Sequence, residues 1–98
     1  MTGRKPKKKI RETIVAILTK YDAGRIAIFG SYARREAGPK SDINILVRFS
    51  RPKSFFQLVR IEDEIEESIH MKSILLPKKA VSPYLAGSIR RDEVVIYG

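Results

Sequence analysis

The sequence contains no cysteine and no tryptophan, and its 98 residues include one asparagine, one glutamine and one histidine. Without cysteine the chain can form neither a disulfide nor a zinc site with thiolate ligands. No apolar run approaches the roughly 20 residues needed to cross a bilayer, and the first residues lack the apolar stretch of a signal peptide. We therefore expect a cytoplasmic protein that does not enter the membrane.

The positive charge is concentrated at the N-terminus. The formal net charge is +9, yet residues 1–11 carry six basic side chains and no acid, whereas the rest carries 14 basic and 11 acidic residues. We interpret residues 1–9 as a basic flexible tail before a single domain over residues 10–98. The tail is either a solvated terminus or an arm that contacts nucleic-acid phosphates through counterion release.

The spacing of apolar residues predicts alternating helices and strands, which places the chain in the α/β (α+β) class. Gly-Pro and Ser-Pro pairs mark the breaks between elements. The predicted elements are a helix from about Lys9 to Tyr21, a strand Arg25–Phe29, a short helix Ser31–Arg35, a strand Ile43–Phe49, a helix Lys53–His70, a strand Met71–Leu76, a helix from the N-cap Ser82 to about Arg91, and an edge strand Glu93–Tyr97.

Two other groups of side chains have competing interpretations. The acids of the Lys53–His70 helix either cover its solvent face, which we favour, or form a metal site; they are Glu62, Asp63, Glu64, Glu66 and Glu67. Tyr84 and Tyr97 either pack against the domain, which we favour, or accept a transferred group or meet a partner.

A glycine and a serine follow the first predicted strand, before a short helix. Gly30 allows the backbone to turn sharply and to approach a ligand closely. The Ser31 hydroxyl and the free N–H groups of the next helix can hold phosphate oxygens, and Arg34 and Arg35 lie close enough along the chain to neutralise them. The alternative is a turn followed by a capped helix.

Asp42 and Asn44 open the second strand, and residues two apart on a strand point to the same face. Two carboxylates at this spacing can bind magnesium ions that bridge the phosphates of a nucleoside triphosphate. Asn44 retains a carbonyl oxygen but has no charge, so it should bind the metal less well. The alternative role for Asp42 is to cap the preceding turn.

Residues 26–49 resemble the minimal nucleotidyltransferases of the DNA polymerase beta superfamily. The family pattern is an apolar strand, Gly-Ser, an Ala-Arg step, and Ser-Asp-x-Asp at the start of the next strand. The C-terminal segment Val81–Gly98 is also similar to the usual ending of these small proteins. The matching residues of the pattern are Gly30, Ser31, Ala33, Arg34, Glu36, Ser41 and Asp42.

The resemblance implies a mixed sheet with helices packed mainly on one face. It implies that ATP or another NTP binds at Gly30, Ser31, Arg34 and Ser41, with Mg²⁺ held by Asp42 and the residue at position 44. It implies transfer of a nucleoside monophosphate with release of pyrophosphate. Many relatives act in a toxin-antitoxin pair with an α-helical HEPN protein, so the resemblance also implies such a partner and a homo- or hetero-oligomer.

The chain departs from the family pattern at two positions. The second family aspartate falls at Asn44, and the third family carboxylate, on the strand before the Ser-Pro-Tyr helix, falls at Ile74. Isoleucine can neither bind metal nor accept a proton. Loss of a general base costs about 10²–10⁴ in rate. Three hypotheses follow: an impaired nucleotidyltransferase, a module that binds nucleotide or partner without turnover, and a small nucleic-acid-binding protein.

Overall fold

The computed structural model describes residues 6–30 and 42–98, which form three α-helices and four strands. None of the helices in these two ranges is long and apolar enough to span a bilayer. The elements are α1 (Pro6–Lys20), β1 (Ala23–Phe29), β2 (Ile43–Phe49), α2 (Phe55–Ile69), β3 (Ser73–Pro77), a 3₁₀ turn (Lys78–Ala80), α3 (Pro83–Asp92) and β4 (Val94–Tyr97).

Most of these elements lie where the sequence predicts them, and the differences have local causes. Strand β2 has the predicted bounds. Helix α1 begins at Pro6 rather than near Lys9, because proline is favourable at the first helical position and lysines continue a helix well. Helix α2 begins at Phe55 rather than Lys53, because Ser54 and Gln57 form a capping box there, which the Ser-x-x-Gln spacing already signals in the sequence. The predicted Ser31–Arg35 helix lies outside the described residues.

The strands form one mixed sheet in the order β3-β2-β1-β4. Strand β1 pairs antiparallel with both β2 and β4, while β2 and β3 run parallel. Strand β4 is therefore an edge strand, as predicted, and the mixed sheet implied by the family resemblance is confirmed. Because β2 and β3 are parallel, their first residues lie at one end of the sheet and their last residues at the other.

The core lies mainly on one face of the sheet. Helices α1 and α2 contact each other there and pack on β1 and β3. On the opposite face, a small cluster joins Ala27 and Leu46 to Ile89 of α3. The helices thus pack mainly on one face, as expected. The principal core consists of Ile14, Ile17, Leu18, Ala23, Ile26, Ile28, Ile43, Ile45, Val47, Ile61, Ile65 and Leu75.

Two carboxylates of α2 cover the outer edge of β3. A Glu66 oxygen accepts a hydrogen bond from the Ser73 N–H at 2.8 Å, and a Glu62 oxygen accepts one from the Leu75 N–H at 2.7 Å. Four residues along a helix and two along a strand both advance about 6–7 Å. The distance between Glu62 and Glu66 on α2 therefore matches the distance between Leu75 and Ser73 on β3. The prediction of a purely solvent-facing acidic surface is therefore wrong for Glu62 and Glu66, which satisfy edge-strand donors.

Candidate functional site

Gly30 makes the turn at the end of β1. Its φ is +83°, a conformation that residues with a Cβ rarely adopt. A Cβ atom at position 30 would lie 2.5 Å from the Nδ2 atom of Asn44. The Asn44 side chain therefore occupies the space that a Cβ at position 30 would need, and two features that are 14 positions apart in the sequence meet at one point.

Asn44 lies at the centre of this end of the sheet. It pairs with Phe29 on β1 and with Ile74 on β3. Its neighbours Ile43 and Ile45 face the principal core, so the Asn44 side chain lies on the opposite face, and Asp42 belongs to the same alternating set. Position 74, where the resemblance implies a third family carboxylate, therefore lies beside position 44.

Among the residues that the structure describes, few acidic side chains lie on the face around Asn44. Ile74 is 43% exposed and offers no ligand atom. Within residues 6–30 and 42–98, no three Asp, Glu or His side chains come together as a metal-binding group. Asp42 and the Asn44 amide can supply one charged and one neutral oxygen, which suits a single Mg²⁺ that takes its other ligands from water and phosphate.

Phe29 lies next to the candidate site, although the sequence pattern predicts it only as the last residue of a strand. It pairs with Asn44 and packs, half-buried, against the cluster of Ala27 and Leu46. A signal for this position exists in the sequence, because alternation along β1 places Phe29 with Ala27 and opposite Ile26 and Ile28. Phe29 thus provides an apolar surface beside Asn44 on this face of the sheet.

The remaining residues of the predicted site fall in two groups. Ser31, Arg34 and Ser41 lie outside the described residues, so their predicted roles in phosphate binding stay predictions. Tyr84 is 95% exposed at the start of α3, and the expectation that it packs against the domain is wrong. Tyr97 is 41% exposed on the edge strand β4.

A titrating group of three side chains joins α1 to α2, away from Asn44. The Lys20 Nζ and the Tyr21 hydroxyl each donate to Glu64, at 2.6 Å in both cases. These hydrogen bonds lower the pKa of the Glu64 carboxyl and raise the pKa values of Lys20 and Tyr21. Glu64, another acid predicted to face solvent, therefore ties two helices together and takes no part in the candidate site.

Comparison with known proteins agrees with this architecture. Residues 12–98 match the family model described as Polymerase beta, Nucleotidyltransferase. A protein of Methanocaldococcus jannaschii, named provisionally as a protein adenylyltransferase, is 40% identical over 86 residues, which are 88% of this chain and 92% of the relative.

Two solved structures share the fold. A toxin-antitoxin structure with AMP-PNP has a TM-score of 0.83 and 18% identity, covering 90% of this chain and 73% of that chain. A structure of a tri-AMPylated Shewanella oneidensis HEPN toxin in complex with an MNT antitoxin has a TM-score of 0.77 and 16% identity, covering 93% and 71% of the two chains. At these identities the likeness establishes a common fold.

Proposed function

The chain belongs to the polymerase beta nucleotidyltransferase family, and on that premise we propose that it binds ATP and transfers AMP to a helical HEPN-type partner at a low rate. The observation that carries this proposal is the meeting of Gly30 and Asn44. The turn predicted to bind phosphate and the strand position predicted to bind metal are in direct contact.

In this proposal, the residues of the site contact different parts of the nucleotide and its cation. We propose that the glycine turn lets phosphate oxygens approach its backbone, next to the Asn44 side chain that lies against Gly30. Asp42 contributes the negative charge that attracts a cation to the phosphates. Ser31, Arg34 and Ser41 are proposed to bind the phosphates through their hydroxyl and guanidinium groups, as the family pattern implies.

The same residues limit the rate of transfer. A divalent cation, when bound, offsets the charge that develops on the phosphates during transfer. Asn44 would offer this cation a neutral amide oxygen, whereas an aspartate at the same position would offer a negatively charged one. Ile74 lies next to Asn44 and can neither accept a proton from an attacking hydroxyl nor bind metal. We therefore expect nucleotide binding to persist while turnover falls.

We propose that the acceptor surface belongs to a second protein. A 98-residue domain has little room for a closed cleft, and the Ile74 side of the site is open to solvent. One structural neighbour contains a tri-AMPylated HEPN toxin with an MNT antitoxin, and this supports a helical HEPN-type protein as the acceptor. Pairing with such a protein would make the chain the antitoxin-like half.

The test measures binding and transfer separately. Calorimetry with ATP, with and without Mg²⁺, is run on the chain alone and mixed with the product of the neighbouring gene. ATP labelled at the α-phosphorus then reports transfer to either protein. We expect magnesium-dependent binding and slow labelling, both lost in Asp42→Ala and kept in Asp63→Ala, which removes an exposed carboxylate from α2.

The missing carboxylates favour one alternative, a module that binds nucleotide or partner without turnover. Magnesium-dependent ATP binding with no labelling of any acceptor would establish that alternative and overturn the transferase proposal. Absence of magnesium-dependent uptake of any NTP, with or without the companion protein, would overturn the transferase proposal and leave only the partner-binding form of the alternative.

A further inference from the structure

A second concave surface lies at the other end of the sheet from Asn44. It is a cleft of about 300 Å³ at the carboxyl ends of the parallel strands β2 and β3. The described residues that line it include five basic residues and no acidic one; the five are Arg48, Arg51, Lys53, Lys78 and Lys79. Arg48 is four residues beyond Asn44 on β2, or about 13 Å along the strand, so this cleft is separate from the candidate nucleotide site.

Most of this positive charge is uncompensated. The Lys53 ammonium is 3.2 Å from an Asp22 carboxylate oxygen, its side chain is 9% exposed, and it lies 5.6 Å from the Phe49 ring centre. The other four cations form no ion pair within residues 6–30 and 42–98. Four such like charges around one concavity create a strong positive potential, which favours an anionic ligand.

A second cleft, which is also lined by basic residues, shares one lining residue with the first. Lys78 lines both the first cleft and this second one of about 440 Å³ between the sheet and α3, to which Arg25 and Arg90 also contribute. The acid of the second cleft, Glu93, is already paired with Arg25 at 3.4 Å. A ligand with charges repeated along its length can contact both clefts, whereas a single phosphate can occupy only one position.

Two exposed aromatic residues lie in the chain between Lys53 and Leu58, which both line the first cleft. Phe55 and Phe56 form the first turn of α2, directly after Lys53 and Ser54, and are 73% and 81% exposed. Their ring centres are 5.9 Å apart with an angle of 71° between the planes. Leu58, one turn after Phe55 on the same side of the helix, lines the cleft. Exposed aromatic rings beside a basic groove provide stacking surfaces for unpaired bases.

We propose that these two clefts and the Phe55–Phe56 pair bind single-stranded nucleic acid. The phosphates lie along Arg48, Arg51, Lys78 and Lys79, and bases stack on the two phenylalanine rings. Base pairs of a duplex are already stacked on each other and offer no free face to the rings. A lipid surface is flat on this scale, and its headgroups do not reach cations that line a concavity.

The experiment measures the anisotropy of fluorescein-labelled 12-nucleotide oligouridylate and oligothymidylate with the full chain, over a range of salt concentrations. For single-stranded nucleic acid, the slope of log K against log salt becomes more negative by about 0.7 for each phosphate that the protein neutralises. Replacing Arg48, Arg51, Lys78 and Lys79 by glutamine should therefore reduce the slope by about 2–3. The matched control replaces four exposed cations elsewhere by glutamine; these are Lys8, Lys9, Arg11 and Lys72.

A second pair of variants tests the stacking contact. Phe55→Ser with Phe56→Ser should weaken binding by about 30-fold or more, since two stacked bases are lost, without changing the salt slope, because no charge is removed. Both rings are exposed, so thermal unfolding should be nearly unchanged. Asp42→Ala should leave oligonucleotide affinity unchanged, which separates failure of this proposal from failure of the proposed nucleotide transfer.

Three results would overturn the proposal. The first is absence of oligonucleotide binding by the full chain. The second is a slope that falls as much in the control as in the cleft variant, which would assign binding to the N-terminal charges. The third is that the four cleft cations govern binding to phosphatidylserine vesicles instead of the oligonucleotides.

Discussion

Asn44 and Ile74 lie side by side on parallel strands, with both side chains on the face opposite the principal core. One is the neutral counterpart of aspartate, and the other is a half-exposed aliphatic residue. Two positions that are 30 residues apart in sequence thus form one continuous patch of the candidate site. Because they are neighbours, the effects of changing them should not be additive.

Restoring the carboxylates should therefore restore catalysis. We expect Asn44→Asp with Ile74→Asp to increase AMP transfer by about 10²–10⁴, with smaller gains for each single change. The measurement is the initial rate of label transfer from α-labelled ATP to the acceptor at saturating Mg²⁺. Asn44→Asp with Ile74→Asn is the control, since it matches the shape at position 74 without the charge. A double variant no faster than the natural chain would contradict the assigned role of position 74.

Gly30→Ala should destabilise the fold and disturb the site. The left-handed backbone at Gly30 costs a residue with a Cβ about 1–2 kcal/mol, and the new methyl group would displace the Asn44 amide. Gly87→Ala is the matched control, because Gly87 lies within α3 with no atom within 4 Å of an added Cβ. That control should gain about 0.5–1 kcal/mol. Urea unfolding measures the change in the free energy of unfolding for each variant. Changes of the same sign in the two variants would be inconsistent with this backbone geometry.

Removal of either carboxylate from the β3 edge should expose a backbone donor. We expect Glu62→Ala and Glu66→Ala each to lower the free energy of unfolding by roughly 1.5–3 kcal/mol, because a charge-assisted hydrogen bond is lost. Amide exchange should accelerate at Leu75 in the first variant and at Ser73 in the second. Glu67→Ala removes an exposed carboxylate of the same helix and should change the unfolding free energy by less than about 0.5 kcal/mol. Similar losses in all three variants would argue against specific edge contacts.

The link between α1 and α2 should make stability depend on pH. Hydrogen bonds from Lys20 and Tyr21 lower the pKa of Glu64, so the folded state holds this proton less tightly than the unfolded state. The stabilisation is therefore present above the ordinary carboxyl pKa of 4.5 and disappears as the pH falls through the lower folded value. Lys20 has a raised pKa, and its contribution is complete below 10.5 and is lost as the pH rises through the folded value.

Glu64→Gln should accordingly lower the Tm at pH 7, and the difference from the natural chain should vanish in strong acid. Added salt should reduce the difference at pH 7, because the pair is accessible to solvent. Thermal unfolding followed between pH 2 and pH 8 checks the direction. A Tm difference that grows toward low pH would contradict the assignment of the shift to Glu64.

The local chemistry of the sequence was sufficient for much of the fold. Alternation in Ile43–Phe49 gave β2 its bounds, because a strand buried on one face requires period two. The family match confirms the resemblance based on the Gly30–Asp42 motif. The capping box at Ser54 is also encoded locally, although the predicted helix began one residue before it. The exposure of Tyr84 is not encoded, because an aromatic side chain at a helix start packs only if another element covers it.

The sequence by itself determined where most of the described helices and strands lie, the glycine turn, and the absence of a carboxylate at positions 44 and 74. The tertiary structure decided which of these features meet. It placed Gly30 against Asn44, Asn44 beside Ile74, Glu62 and Glu66 on the β3 edge, and five cations around one cleft. The physical reason is that strand order and register bring together residues distant in the chain, whereas composition and periodicity act over a few neighbouring residues.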